Sequence, residues 1–293
     1  MRHVCLIVNP SAGGGRAAKR LPVVEAALRA RGIPFRVERT TSLEHAREIA
    51  HGTLTTGEVA AAMGGDGLTG AVAGALRETD GILAVLPGGR GNDFGRKLGI
   101  GPDPIAACDV VAGGVVRSVD VADVAGATYV GIASAGLDSD VQDIAGTTRL
   151  PLGALVYSYG TLQALRHWKP AEWEVTLDGE RSTFVGYSVA VANSGIFGGG
   201  MRLVPDASLS DGVLDVVLCG LTTRRRYLRN LTKVFSGEHL GEPALRLLKA
   251  REVTFAADRP FTAYADGDPI AALPATDRVL PGALRVLAPE AAG

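Results

Sequence analysis

The sequence predicts a two-domain α/β protein: an α/β first half, followed by a β-rich second half read as a sandwich or barrel. Three observations predict it. Between residue 3 and about 124, short β-branched runs alternate with stretches of helical spacing, the pattern of a mostly parallel sheet covered by helices on both faces. After about residue 120 the runs are short, extended and separated by turn residues, which marks β structure. The length of 293 residues suits two domains at roughly 150 residues each. The expected division is 1–124 and 125–293, with the last residues packing back on the first domain.

In chain order, Val4–Val8 is a strand, and Arg16–Arg31 is a helix with apolar positions at Ala17, Leu21, Val24 and Leu28. Phe35–Glu38 is a second strand and Leu43–Ala50 a helix. Val59–Met63, Thr69–Leu76 and Ile82–Leu86 repeat the strand, helix, strand theme. The extended runs of the second half are Tyr129–Ala133, Trp173–Leu177, Phe184–Ala192, Val213–Leu218, Glu252–Ala256, Thr262–Ala265 and Ala283–Leu287, with Asp178-Gly179 as a hairpin turn. Ser139–Trp168 and Arg224–Lys249 interrupt them with helical character.

Composition excludes several classes. With 30 Lys+Arg against 31 Asp+Glu the net charge is −1, so no global basic field exists to hold nucleic acid. Cys5, Cys108 and Cys219 are odd in number and set among apolar neighbours, which argues for reduced thiols in the cytoplasm. No apolar run approaches the 18 or so residues of a membrane span. Glycine is the outlier, 39 of 293, nearly double the average usage of about 7%. Four windows, residues 9–16, 64–70, 88–95 and 195–200, hold 15 of them.

Three of those windows follow strands of the first half, where α/β sheets bind ligands. The first is Asn9-Pro10-Ser11-Ala12-Gly13-Gly14-Gly15, opening a helix whose free amides suit phosphate. Gly13-x-Gly15-x-x-Ala18 also satisfies a dinucleotide fingerprint, with Glu38 placed where a ribose carboxylate would be; a plain helix-start turn is the competing reading. The second is Gly64-Gly65-Asp66-Gly67-Leu68-Thr69-Gly70. It holds a carboxylate beside a phosphate-binding turn, which requires a divalent cation or a hydroxyl between two anions. The third is Pro87-Gly88-Gly89-Arg90-Gly91-Asn92-Asp93-Phe94. Three glycine-rich loops on one sheet edge, two of them with an Asp, are what a nucleotide triphosphate cradle requires.

These residues resemble the diacylglycerol kinase catalytic-domain superfamily, which includes bacterial lipid kinases and sphingosine kinases. The resemblance is carried by Asn9-Pro10-x-x-Gly13, Gly64-Gly65-Asp66-Gly67 and Pro87-Gly88-Gly89-Arg90-Gly91-Asn92-Asp93-Phe94. It continues through Gly198-Gly199-Gly200, Pro205-x-Ala207-x-x-x-Asp211-Gly212-x-Leu214-Asp215 and Asp266-Gly267-Asp268. It implies a three-layer α/β domain like that of NAD kinases and phosphofructokinases, a C-terminal β-sandwich, and an ATP–Mg site between them. It also implies an ATP-dependent kinase acting on a lipid hydroxyl, diacylglycerol or a related lipid. By the same resemblance, nucleotide contacts fall on Asn9 to Gly13, Thr40, Gly64 to Gly70, Arg90, Asn92 and Asp93. Asp66, Asp93 and Asp120 organise magnesium and water. The catalytic base lies in Asp266-Gly267-Asp268, as Asp266 or Asp268. A structural magnesium is held by Asp211 with the main-chain oxygens of Ser208 and Val213.

Three positions depart from the family pattern: Leu68 where Thr is usual, with Thr69 one place later; Arg90 in place of Thr; and Asp268 in place of Glu. Leu68 and Arg90 leave open a nucleotide-binding module without catalysis, and the shared Gly64-Gly65-Asp66-Gly67 leaves open a soluble kinase of the NAD-kinase type. The five histidines fall at no metal-ligand spacing. Arg224-Arg225-Arg226, with Arg229 and Lys233, is a basic run able to meet anionic head groups, and Leu150–Tyr159 is core or cleft wall. The expected partners are a lipid substrate at the membrane surface and the inner face of the membrane itself as a peripheral contact of a cytoplasmic protein. A homodimer is left open.

Overall fold

The structure is a computed structural model that describes residues 2–147 and 155–290. The expectation for Leu150–Tyr159 therefore falls largely outside the described residues. The first half runs β1 (Val4–Val8), α1 (Ala12–Ala30), β2 (Phe35–Arg39), α2 (Leu43–Thr56), β3 (Val59–Gly64), α3 (Asp66–Leu76), β4 (Ile82–Pro87), α4 (Asp93–Lys97), α5 (Pro104–Gly113) and β5 (Val115–Val124). The second half continues with β6 (Ala127–Tyr129), β7 (Ile132–Gly136), α6 (Leu137–Thr147), α7 (Leu155–His167), β8 (Ala171–Leu177), β9 (Glu180–Ala192), β10 (Ile196–Phe197), β11 (Met201–Arg202) and β12 (Leu214–Gly220). It closes with α8 (Arg224–Lys233), β13 (Leu245–Ala250), β14 (Glu252–Ala257), β15 (Thr262–Ala265), β16 (Asp268–Ala272) and β17 (Ala275–Ala288).

The parallel part of the sheet has the order β2-β1-β3-β4. Its two central strands, VCLIV and VAAAMG, are buried along their whole length, as strands covered on both faces must be. The helices start where local chemistry starts them. Ser42 Oγ accepts the His45 N–H ahead of α2, and Asp103 accepts the Ile105 N–H ahead of α5, the side-chain caps expected at helix N-termini.

The second half is antiparallel. β8 and β9 form the hairpin expected at Asp178-Gly179, both turn residues taking positive φ as a two-residue hairpin requires. β9 pairs also with β7 and β12, and β12 with β13. The helical reading of Arg224–Lys249 holds only to Lys233. Leu245–Ala250 is a strand, because its register against Leu214–Cys219 completes the ladder. The sequence reading also left out α4, α5 and β5.

β17 joins the two halves. Its first residues pair with β14, its last pair in parallel with β4 at Arg285 and Val286, and β5 runs antiparallel along both parts with an irregularity between Leu280 and Leu284. Leu284, Val286 and Leu287 thereby enter the core of the first half, while Ala275 and Val279 belong to the core of the second.

Candidate active site

The three glycine-rich loops meet backbone to backbone at the ends of β1, β3 and β4. Gly64 carbonyl accepts the N–H groups of Gly88 and Gly89, at 2.9 and 2.8 Å. A Cβ on Gly89 would stand 2.4 Å from the Gly65 Cα, and one on Gly13 would stand 2.8 Å from the Gly88 carbonyl oxygen. No side chain fits at those contacts. In the first loop, Asn9 N–H bonds the Met63 carbonyl and Asn9 Oδ1 accepts from both the amide and the hydroxyl of Ser11. Ser11, Ala12 and Gly13 are thus held against β3.

The fingerprint reading of this loop is corrected. Gly13, Gly14 and Gly15 all take left-handed φ, and the regular helix begins only after them. Glu38 is spent on a surface pair with Arg36 at 2.7 Å, and the strand order β2-β1-β3-β4 differs from the dinucleotide-binding order.

In the second loop, Leu68 is buried directly under Gly64. Thr69 is buried too, its hydroxyl donating back to the Gly65 carbonyl at 3.2 Å. Both side chains at the departure from the family pattern therefore face inward, and Gly65, Gly67 and Gly70 present only backbone. Thr40 is likewise inward, bonded through N–H and hydroxyl to the Val8 carbonyl. In the third loop, Asn92 takes φ +53 and clamps Gly89 through both ends of its amide. Arg90 stays exposed.

Four carboxylates surround the start of α3. Asp66 Oδ1 accepts the Phe94 N–H at 3.1 Å, and Asp93 Oδ2 accepts the Gly199 N–H at 2.8 Å, tying the fourth glycine window to the other three. Asp66 and Asp93 flank Gly91 from two sides. Asp93 Oδ1 is buried with no hydrogen-bond partner; the nearest cation is Arg96, 3.8 Å away. Burial raises both carboxyls above their ordinary range, and for Asp66 the Asp93 charge raises it further. From the second half, the Asp266 carboxylate lies against Gly70, and Asp268 Oδ2 lies against Gly67.

The last two differ sharply. Asp266 takes φ +50, and its oxygens accept the N–H groups of Val130, Gly131 and Ile132 at 2.9, 2.9 and 3.2 Å. Burial pushes its carboxyl up to about 7 in spite of the three amides. Asp268 is exposed and accepts no hydrogen bond among the described residues. Partial burial raises its carboxyl, opposed by the guanidinium of Arg47 on α2. Arg47 and Arg96 have no sequence signal beyond the three-residue spacing that puts Arg96 beside Asp93 on one helix face.

The remaining predicted residues lie elsewhere. Both oxygens of buried Asp120 are taken, by the N–H groups of Gly212 at 2.8 Å and Gly282 at 2.7 Å. Ser208, Asp211 and Val213 share one turn, in which the Val213 N–H donates to Asp211 Oδ1 at 3.4 Å. The Lys249 ammonium stands 2.9 Å from Asp211 Oδ2 and 3.6 Å from Asp215 Oδ1. That turn is paired with an exposed ammonium, beside the oxygen donors that the family resemblance gives to a metal. The chemistry around Gly91 suits a cation: two desolvated carboxylates, one with an orphaned oxygen.

Two family models match this chain. The diacylglycerol kinase catalytic domain covers residues 3–124, and the YegS C-terminal NAD kinase beta sandwich-like domain covers residues 131–288. A diacylglycerol kinase of Mycobacterium tuberculosis is 31% identical over 98% of this chain and 95% of its own length. One from Bacillus subtilis is 30% identical over 92% and 90%. A crystal structure of a diacylglycerol kinase from Bacillus anthracis str. Sterne covers 100% of this chain and 98% of its own, with a TM-score of 0.75 at 21% identity, a likeness of fold. The expected α/β domain with its β-sandwich is borne out, and this chain belongs to the diacylglycerol kinase catalytic family of lipid kinases.

Proposed function

We propose that the protein transfers the γ-phosphate of ATP to the hydroxyl of a diacylglycerol or a closely related lipid, with Asp268 as the base. One observation carries this reading. Of the four carboxylates around the start of α3, Asp268 alone is both exposed and without a hydrogen-bond donor among the described residues, beside the Gly67 backbone.

ATP with a divalent cation, when bound, supplies the phosphoryl group and the charge neutralisation that phosphoryl transfer needs. The chain's residues do the rest. The amides of the three glycine loops receive the phosphates at the start of α3, where the helix dipole favours anions. Asp66 and Asp93 would hold the cation, and Arg90 adds an exposed positive charge at the loop. Asp268 accepts the proton of the lipid hydroxyl, and its raised affinity for protons suits a general base. Asp266 positions the turn that carries it. Because Leu68 points away from the loop face, its replacement of a hydroxyl leaves the cradle intact, which favours an active enzyme over a binding module.

A lipid acceptor is supported by the relatives of 30–31% identity, whose names give diacylglycerol as their substrate; the cavity of about 80 Å³ behind α8, lined by Phe197, Leu203, Leu231 and Val234 with Asp138 and Asn230 among others, is too small to hold a lipid chain. The test is turnover of diacylglycerol in mixed micelles with Mg–ATP, expected for the wild type and lowered at least about 10²-fold in Asp66→Ala. Turnover of NAD with none on a panel of lipids would move the activity to a soluble kinase.

A further inference from the structure

We propose that the outward face of α8, with the exposed apolar side chains at its two ends, is the surface that docks the enzyme on an anionic bilayer. That a bilayer is the occupant rests on the lipid-substrate reading above; the docking itself involves no ATP.

Helix α8 has the sequence RRRYLRNLTK, five cations and no acid in ten residues. Thr223 fixes its start by accepting the Arg226 N–H. At 100° per residue, Arg225 and Arg229 fall on one face and Tyr227 and Leu231 on the opposite one. The inner face closes the cavity, through Tyr227, Asn230, Leu231 and the following Val234. The outer face is basic.

Its cations are not equivalent. Arg226 and Lys233 both bond Glu242, at 2.7 and 2.8 Å, and Arg224 reaches the Trp168 carbonyl. Those three brace the helix on the protein. Arg225 and Arg229 are exposed and make no hydrogen bond or ion pair among the described residues. Leu221 just before the helix and Phe235 just after it are 56% and 57% exposed, more than any other large hydrophobic side chain described. Two free guanidinium groups between two protruding apolar side chains match a bilayer surface: phosphate at the head-group plane and apolar depth on either side. In a chain of net charge −1 this attraction is local, so it orients the protein with α8 down.

Co-sedimentation of the full chain with vesicles, without ATP, tests this. Wild type is expected to bind phosphatidylglycerol–phosphatidylcholine vesicles, to bind pure phosphatidylcholine weakly, and to release at high salt. Arg225→Glu/Arg229→Glu should weaken binding to the anionic vesicles at least about ten-fold, and Phe235→Ser should weaken it at constant charge. Both variants should keep the wild-type melting temperature and turnover of a monomeric short-chain diacylglycerol. Wild-type binding by the double charge reversal would overturn the proposal, as would a wild type that ignores anionic vesicles and pairs instead with an acidic protein. If no lipid is phosphorylated while binding still depends on Arg225 and Arg229, the substrate reading fails and the docking surface stands.

Discussion

Asp266 and Asp268 are two residues apart and carry the same functional group, yet their surroundings assign them opposite work. Three backbone N–H groups end on Asp266; none among the described residues ends on Asp268. Asp266→Asn keeps the shape but turns an acceptor into a donor facing an amide, leaving at least one buried N–H unpaired. That costs about 1–3 kcal/mol and should appear as a lower melting temperature. Asp268→Asn should melt like wild type and lose about 10²–10⁴-fold in kcat. The reverse pattern would exchange the two roles. The pH dependence follows from the same groups. In the proposed roles Asp66 and Asp268 act ionised, and both bind protons more readily than ordinary carboxylates, so the acid limb of kcat/KM should lie above the ordinary value of about 4. Asp266 has the opposite sign for stability. Its folded carboxyl titrates near 7, above its unfolded value, so the fold is favoured below that unfolded value and loses stability as pH rises through about 7.

At the scale of elements, the phosphate cradle is built by close approach of backbone. The Gly64, Gly65, Gly88 and Gly89 backbones touch, and Gly89→Ala should separate the second and third loops, raising the KM for ATP more than it lowers the melting temperature. The turn Ser208–Val213 is closed by an ammonium instead. In wild type its stability should be indifferent to magnesium or chelator. In Lys249→Met the uncompensated carboxylates of Asp211 and Asp215 should make the melting temperature rise with added magnesium. A wild type stabilised by magnesium, with the effect lost in Asp211→Asn, would return the metal to this turn. The glycine clusters and their aspartates were legible in the sequence because close backbone contact admits only one residue type. The inward turn of Leu68 and Thr69 was not, since it depends on how α3 is rotated against β3.

At the scale of the whole molecule, the two halves share the β5–β17 ribbon and are tied at Asp120. This buried carboxylate binds Gly212 of one segment and Gly282 of β17, so the loop after β11 and the crossing strand move together. Asp120 and Asp211, read from sequence as metal-organising, are bonded here to two amides and to the Lys249 ammonium respectively. A single charged side chain reads the same in a sequence whether its partner is a cation, an amide or a lysine contributed by a distant strand.

The sequence by itself determined the α/β alternation, the hairpin at Asp178-Gly179, the glycine-rich loops at the strand ends and the family. Each depends on residues adjacent or periodic along the chain. Only the tertiary structure decided that Lys249 stands at Asp211, that β17 enters the first sheet, and that Asp268, Arg225 and Arg229 have no partner among the described residues. Those outcomes depend on groups brought together from far apart in the chain. Backbone register and burial decide among chemically identical side chains, and neither is written in local spacing.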